Sequence, residues 1–331
     1  MELGLMSVSL LDRSWDEALD TIASYGVRHL EANAGGHIPK DHFDPLALVA
    51  DDDALSRFKR SLESRGLRIC AFGCYGNPVH PMKERRTRAH DDFVATCRLA
   101  SELGVDRVSV IAGCPAGGPH DKAPNWIINS MYPDFANAYR WQWEQCLIPY
   151  WQRAAEVADR YGVKICVEPH GGDMVYNTET FFRLRDAVGP TMGANFDPSH
   201  LFWMGVDVLE MIAELGDAIY YTHAKDVSFE SPVIRRQGLV PAVDFADWGG
   251  RSWLYRAVGF GHPESFWRDF VTALRRAGYD DVVVIELEEP FMSTIDGLNL
   301  SVSTLRAVLP EDPFPPGNWF DSYKWVPAEI E

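Results

Sequence analysis

The chain has 331 residues, 46% of them hydrophobic, enough for two average domains or one large barrel with insertions. Its 31 Lys and Arg against 48 Asp and Glu leave a net charge of −17, which argues against nucleic acid or anionic lipid as a general partner. No apolar run reaches the roughly 18 residues of a membrane span, and the opening MELGLMSVSL has no basic leader, so the expectation is a soluble, cytoplasmic protein.

In chain order, short apolar runs predict strands at 3–10, 27–31, 67–72, 107–112, 164–168, 192–197, 218–223 and 282–287. Most are rich in Val, Ile, Leu and Phe, as strands covered on both faces are. Between them, amphipathic patterns predict helices at 15–25, 53–64, 86–103, 138–161, 178–187, 206–215, 263–277 and 293–308. Gly26, Gly66, Gly104, Gly162 and Gly278 each stand between a helix and the next strand. Glycine there closes a helix in the left-handed conformation at little cost, so the repeated junction marks βα units. Eight such units predict a (β/α)8 barrel. An open doubly wound sheet would want a glycine-rich loop after the first strand, and Ser9-Leu10-Leu11-Asp12-Arg13 is not one.

The six cysteines form no CxxC pair, and Cys70, Cys74 and Cys166 lie in or beside apolar runs, which points to structural thiols. Two connections are long, 113–137 after strand four and 225–261 after strand seven. Both fall on the barrel face that carries active sites. Their aromatic residues, among them Trp126, Phe245, Trp248, Trp253 and Tyr255, make either a small loop core or a wall on which a sugar or aryl ring stacks. The barrel is expected over 1–310, with a Pro- and aromatic-rich tail at 311–331 packing on it or on a partner.

The strongest chemical signal lies at four consecutive strand ends: Glu168 after strand five, Asp197 after six, His223 after seven and Glu286 after eight. An ionisable group where an apolar strand reaches the catalytic face is costly unless it is paired or bound to a metal. Three carboxylates with one imidazole suit a hard to borderline dication such as Mn²⁺, Mg²⁺ or Co²⁺, and Lys225 can offset the excess negative charge. A salt-bridge network at the rim is the plainer alternative.

The segments KICVEPH, ANFDPSHLFWMG, YYTHAKDV, VGFGHPESFW and VVVIELEE, in this order and spacing, resemble the sugar isomerase/epimerase superfamily of xylose isomerase-like and ketose 3-epimerase-like barrels. The resemblance covers roughly residues 1–310 and implies that Glu168, Asp197, His223 and Glu286 bind the metal. It implies that His200 binds a substrate hydroxyl or carbonyl and that Glu168 and Glu286 move a proton on the two faces of an enediolate. Two positions depart from the epimerase pattern. Position 229 is Phe where epimerases carry an arginine, and 174 is Met where they carry a second glutamate.

Of the other candidates, His170 is expected to orient Glu168 or to act on substrate directly as a catalytic group. Lys225, His120, Glu31, Asn33 and Trp126 are candidates for substrate contact, against rim salt bridges or solvated loop positions. His80 faces the same mouth, and His262 is a candidate cap for the helix from Pro263. The resemblance implies a metal-dependent isomerase or epimerase of a ketose or oxidised sugar. The alternative is the large subunit of a bacterial C-glycoside deglycosidase, a carbon–carbon lyase acting on a 3-oxo-glycoside beside a small β-sandwich subunit. A homo-oligomer is expected, or in the alternative a hetero-oligomer. A three-zinc endonuclease relative would need more histidine ligands and a basic groove, and a vestigial binding module would have broken ligands.

Overall fold

The computed structural model describes residues 1–240 and 243–312, so nearly all of the tail lies outside the described residues. Eight parallel strands close into a barrel: β1 (Glu2–Met6), β2 (His29–Gly36), β3 (Arg68–Tyr75), β4 (Arg107–Ile111), β5 (Lys164–Glu168), β6 (Met192–Phe196), β7 (Ile219–Ala224) and β10 (Val282–Ile285). The intervening β8 (Asp226–Phe229) and β9 (Trp253–Arg256) form a separate antiparallel hairpin inside the long connection after β7. The expected (β/α)8 architecture with long connections after the fourth and seventh barrel strands is therefore what the chain adopts. Among the described residues no helix is long and apolar enough to cross a membrane.

Two apolar layers hold the barrel. Inside it, Met6, Ala71, Tyr75, Ile111, Cys166, Tyr221, Val282 and Val284 pack on one another. Outside, strand side chains such as Leu30, Val108, Ile165 and Phe196 meet the helix faces, for example Trp267, Phe270 and Leu274 of α11 (Glu264–Arg276). Burial on both faces explains the nearly continuous apolar strands. All five junction glycines have positive φ, between 66° and 91°.

The elements differ from the sequence expectation in three informative places. The first strand stops at Met6, and Ser7–Leu10 turn instead, with Ser7 Oγ accepting the Asn33 backbone N–H at 3.0 Å. The second strand runs on to Gly36, through Ala-Asn-Ala-Gly-Gly, because its small residues allow close, bulged pairing with β3. The single helix expected over 138–161 is α5 (Pro133–Trp141), a π-helical turn at Gln142–Leu147 and α6 (Ile148–Tyr161). Gln142 is fully buried, and its side-chain amide donates to the carbonyls of Ala116 at 2.9 Å and Asn125 at 2.7 Å, pinning the loop after β4.

The hairpin insertion is tied down by one side chain. Asp226 Oδ2 accepts the backbone N–H groups of Gly259, Gly261 and His262 at 2.9–3.0 Å, while Oδ1 accepts from Val227 N–H and His262 Nδ1 at 2.8 and 2.7 Å. A Cβ at Gly261 would lie 2.0 Å from the Val227 carbonyl oxygen, so the close approach requires glycine. His262 is consequently spent on Asp226, and the N-cap of α11 is Pro263, not His262.

Candidate metal centre and its surroundings

Each of the four strand-end residues arrives by simple geometry. Glu168 closes β5 opposite Ile111, and His223 sits on β7 beside Val284 of β10. Asp197 follows β6 and caps the short helix α8 (Pro198–Trp203) by accepting Ser199 N–H at 2.8 Å, with Pro198 in the first turn. Glu286 follows β10, anchored by its N–H to the Ala224 carbonyl at 3.3 Å. One ligand-type atom from each of Glu168, Asp197, His223 and Glu286 lies within 4.8 Å of all the others.

The cluster is buried and charged. Lys225, 1% exposed, places Nζ 3.3 Å from Asp197 Oδ2 and 2.9 Å from Glu286 Oε2. His223 Nδ1 lies 3.1 Å from Glu286 Oε2 and 3.6 Å from Glu168 Oε1. Burial by itself would raise the pKa of Glu168, but contacts with His200 and His223 outweigh it and hold the carboxylate well below its ordinary range. Burial also opposes ionisation of Glu286, and Lys225 and His223 overcome it. Asp197 is lowered in the same way, against burial, by Lys225 and His200.

These residues fit a divalent cation. Glu168 Oε1 is buried without a hydrogen-bond partner, an expensive state for a carboxylate oxygen unless a cation is its partner. Three carboxylates, a dication and the Lys225 ammonium together balance in charge. The donor set of oxygen with one nitrogen is that of Mn²⁺, Mg²⁺, Co²⁺ or Zn²⁺.

Beneath the cluster lies a layer that the strand-end rule did not assign. Glu31 is fully buried, its Oε2 2.6 Å from His223 Nε2 and its Oε1 accepting the Tyr75 hydroxyl at 2.6 Å. That hydroxyl also lies 3.0 Å from Ser109 Oγ, to which the Asn195 amide donates at 2.8 Å. A carboxylate on the far nitrogen of a ligating imidazole fixes its tautomer and directs the other nitrogen outward. The expectation that Glu31 reaches substrate is thus corrected: both its oxygens are engaged below the site. Asn33 donates its amide to the Pro39 carbonyl at 2.8 Å, and its Oδ1 is buried without a hydrogen-bond partner.

Two histidines face the cluster from above. His200 Nε2 lies 3.2 Å from Asp197 Oδ2 and 3.4 Å from Glu168 Oε1, while Nδ1 is 2.9 Å from the Tyr255 hydroxyl. His170 stacks obliquely on His200 with ring centres 3.9 Å apart. Its Nδ1 is 2.7 Å from the Gly171 carbonyl, which can only accept, so Nδ1 carries the proton and Nε2 is a free base. Desolvation and the neighbouring His200 push the His170 pKa down to about 3, keeping the ring neutral. His170 makes no hydrogen bond to Glu168 and does not orient it.

The remaining expected residues are scattered. His120 is exposed and, among the described residues, makes no hydrogen bond or ring contact with the cluster. Trp126 is half-buried, edge-on to Tyr176 at 5.4 Å, as in a loop core. His80 is buried and accepts Met82 N–H at Nδ1, which fixes the start of α4 (Lys83–Leu103). Tyr75, Ser109 and Asn195 were missed, and Tyr255 was read only as one of the loop aromatics. The first three are polar groups on barrel strands, and Tyr75 lies beyond the expected end of the third strand at 72.

A family model for the xylose isomerase-like TIM barrel matches residues 15–306. A Bacillus subtilis (strain 168) protein, YfiH, is 37% identical over 93% of this chain and 99% of its own length. An inosose dehydratase of Geobacillus kaustophilus (strain HTA426) is 30% identical over 30% of this chain and 32% of its own. Among solved structures, a D-tagatose 3-epimerase-like protein superposes with TM-score 0.63 at 16% identity, covering 93% of this chain and 98% of that one. The zinc-bound IOLI protein superposes with TM-score 0.62 at 16% identity over the same shares, and at these identities both likenesses carry the fold alone. The match over residues 15–306 joins the closed barrel and the four strand-end residues in one assignment: the chain belongs to the xylose isomerase-like TIM barrel family.

Proposed function

We propose that the protein is a divalent-metal-dependent isomerase or epimerase of a ketose or oxidised sugar, moving a proton at the carbon beside a carbonyl. The observation that carries this reading is the convergence of two buried, ionised carboxylates, Glu168 and Glu286, on one point ringed by Asp197, His223 and Lys225. A Mn²⁺, Mg²⁺ or Co²⁺ ion held by Glu168, Asp197, His223 and Glu286 would supply a Lewis acid that polarises the carbonyl and acidifies the adjacent C–H.

The chain's own groups do the rest. Glu168 and Glu286 stand at the two ends of the β5–β6–β7–β10 arc, so one takes the proton from one face of the substrate and the other returns it on the opposite face. His200, with Nδ1 2.9 Å from the Tyr255 hydroxyl and Nε2 3.2 Å from Asp197 Oδ2, is held beside the cluster as the group that binds a substrate hydroxyl or carbonyl oxygen. Lys225 holds Asp197 and Glu286 ionised. The dry layer of Glu31, Tyr75 and Ser109 keeps His223 in register.

One observation favours a second reading, the C-glycoside-cleaving lyase. His170 provides a third proton-transfer group, with Asp173 Oδ2 3.5 Å from its Nδ1, beyond the two that epimerisation needs. Elimination from an enolate requires a separate acid for the leaving group, and the Asp173 carboxyl beside His170, raised to about 7 by burial, can hold that proton. In that reading the aromatic hairpin faces the departing aryl group, and a small β-sandwich subunit completes a hetero-oligomer.

The test is proton NMR in D₂O of the Mn²⁺-loaded chain with ketohexoses and 3-oxo-glucosides. Deuterium beside the carbonyl together with a new isomer supports the first reading. Release of an aglycone, or exchange without an isomer, supports the second. No exchange by a chain that holds its metal overturns both.

A further inference from the structure

The hairpin insertion and the segment after β10 line an open pocket of about 290 Å³, with Phe245, Trp248, Arg251, Leu254 and Tyr255 from the first and Glu288, Glu289 and Pro290 from the second. It adjoins the metal centre through two of its walls. The hydroxyl of Tyr255 is 2.9 Å from His200 Nδ1, its ring lies under the Lys225 ammonium at 4.7 Å, and Glu288 Oε1 is 3.9 Å from Lys225 Nζ.

Arg251 is the informative group. It is only 6% exposed, yet among the described residues no carboxylate lies within ion-pair distance of it. Its guanidinium is sandwiched between Phe245 and Trp253, 3.9 and 4.4 Å from the ring centres, and one of its N–H groups donates to the Phe245 carbonyl at 3.1 Å. The neighbouring Arg256 is handled in the opposite way, with Nε 2.9 Å from Glu289 Oε2. A buried guanidinium with donors to spare, on a pocket that also presents Phe245, Trp248 and Tyr255, is a recognition element for an oxygen acceptor on a flat apolar group. The size agrees, since a cavity of roughly 150 Å³ takes one benzene ring. Glu288 on the same cavity adds an acceptor.

We infer that this cavity is a subsite for a hydroxyaryl group attached to the sugar. The phenolic oxygen accepts from Arg251, the phenolic proton faces Glu288, and the ring lies against Trp248 and Phe245. The substrate would then be an aryl glycoside or its oxidised form rather than a free ketose. The inference rests on the proposed proton-transfer centre for the sugar half only.

Isothermal titration calorimetry of the full, Mn²⁺-loaded chain tests it with three probes: 4-hydroxyphenyl, phenyl and methyl β-D-glucopyranoside. The expected order of affinity is hydroxyphenyl, phenyl, methyl, with about tenfold or more between first and last. Arg251→Met should remove the advantage of hydroxyphenyl over phenyl, and Trp248→Ala should weaken both aryl probes about tenfold. Trp248 is already 44% exposed, so its variant decides the matter if Arg251→Met lowers the melting temperature. Equal affinities for the three probes, or an aryl preference that survives both substitutions, would overturn the inference. D₂O exchange separates the two proposals. Exchange without aryl preference removes only the subsite, and aryl preference without exchange removes only the proton-transfer reading.

Discussion

The barrel divides into two arcs that do different work. Strands β5, β6, β7 and β10 are contiguous, and each delivers one member of the candidate metal cluster. Strands β1 to β4 deliver none of the four, and β2, β3 and β4 instead contribute Glu31, Tyr75 and Ser109 to the layer beneath. The first arc carries charge to the mouth, and the second holds that charge in place from inside. Half of the barrel's strands suffice to gather four ligand-type side chains, while the other half, with Asn195 of β6, supplies most of the hydrogen bonds beneath them.

The sharpest way to break this division is to remove a ligand from the first arc. Asp197→Ala or His223→Ala should abolish stoichiometric metal binding and with it all metal-dependent turnover, with metal content read by mass spectrometry on the folded variant. Unchanged metal content would end the site assignment. A second-arc change should act by degree: Glu31→Gln should weaken metal affinity by about 10- to 100-fold while the chain still loads at high metal concentration. His170→Asn probes the chemistry above both arcs and should slow turnover by about 10²- to 10⁴-fold with metal content intact. Packing outside the arcs is a matter of stability alone. Trp267→Ala, at a fully buried position on α11, should cost about 3–5 kcal/mol in denaturant unfolding. The smallest effect concerns the thiols. Burial pushes the pKa values of Cys70, Cys74, Cys114 and Cys166 up to about 12, whereas Cys146 is half-buried and only modestly raised, so a disulfide reagent at pH 8 should modify Cys146 first in the native chain.

The two arcs were also unequally legible in the sequence. Candidate ligands such as Glu168 and Glu286 end apolar runs, where a charge stands out against its neighbours, and five glycine junctions mark the βα rhythm of the eight strand–helix pairs. Glu31 ends such a run too, but its destination depends on which residue of another strand lies beside it, and periodicity carries no such information. The second strand was under-read because Ala32 to Gly36 lack β-branched residues, although their small size is what permits the pairing with β3. The π-helical turn at Gln142–Leu147 left no trace in the helical pattern of its segment, because the extra residue per turn shifts the phase without changing composition. Arg251 could not be singled out, since nothing along the chain tells an unpaired buried arginine from a paired one such as Arg256.

The Asp226 clamp has a consequence for how such a protein diversifies. Both ends of the hairpin insertion are gathered on one carboxylate, directly behind the strand that carries His223. Residues between the clamp points can be lengthened, shortened or exchanged at a loop-closure cost of only about 0.6 kcal/mol per doubling of length. The hairpin is thus an exchangeable cassette on a constant chassis, and descendants of one ancestral barrel can acquire new substrate preferences by rewriting a single segment of the gene.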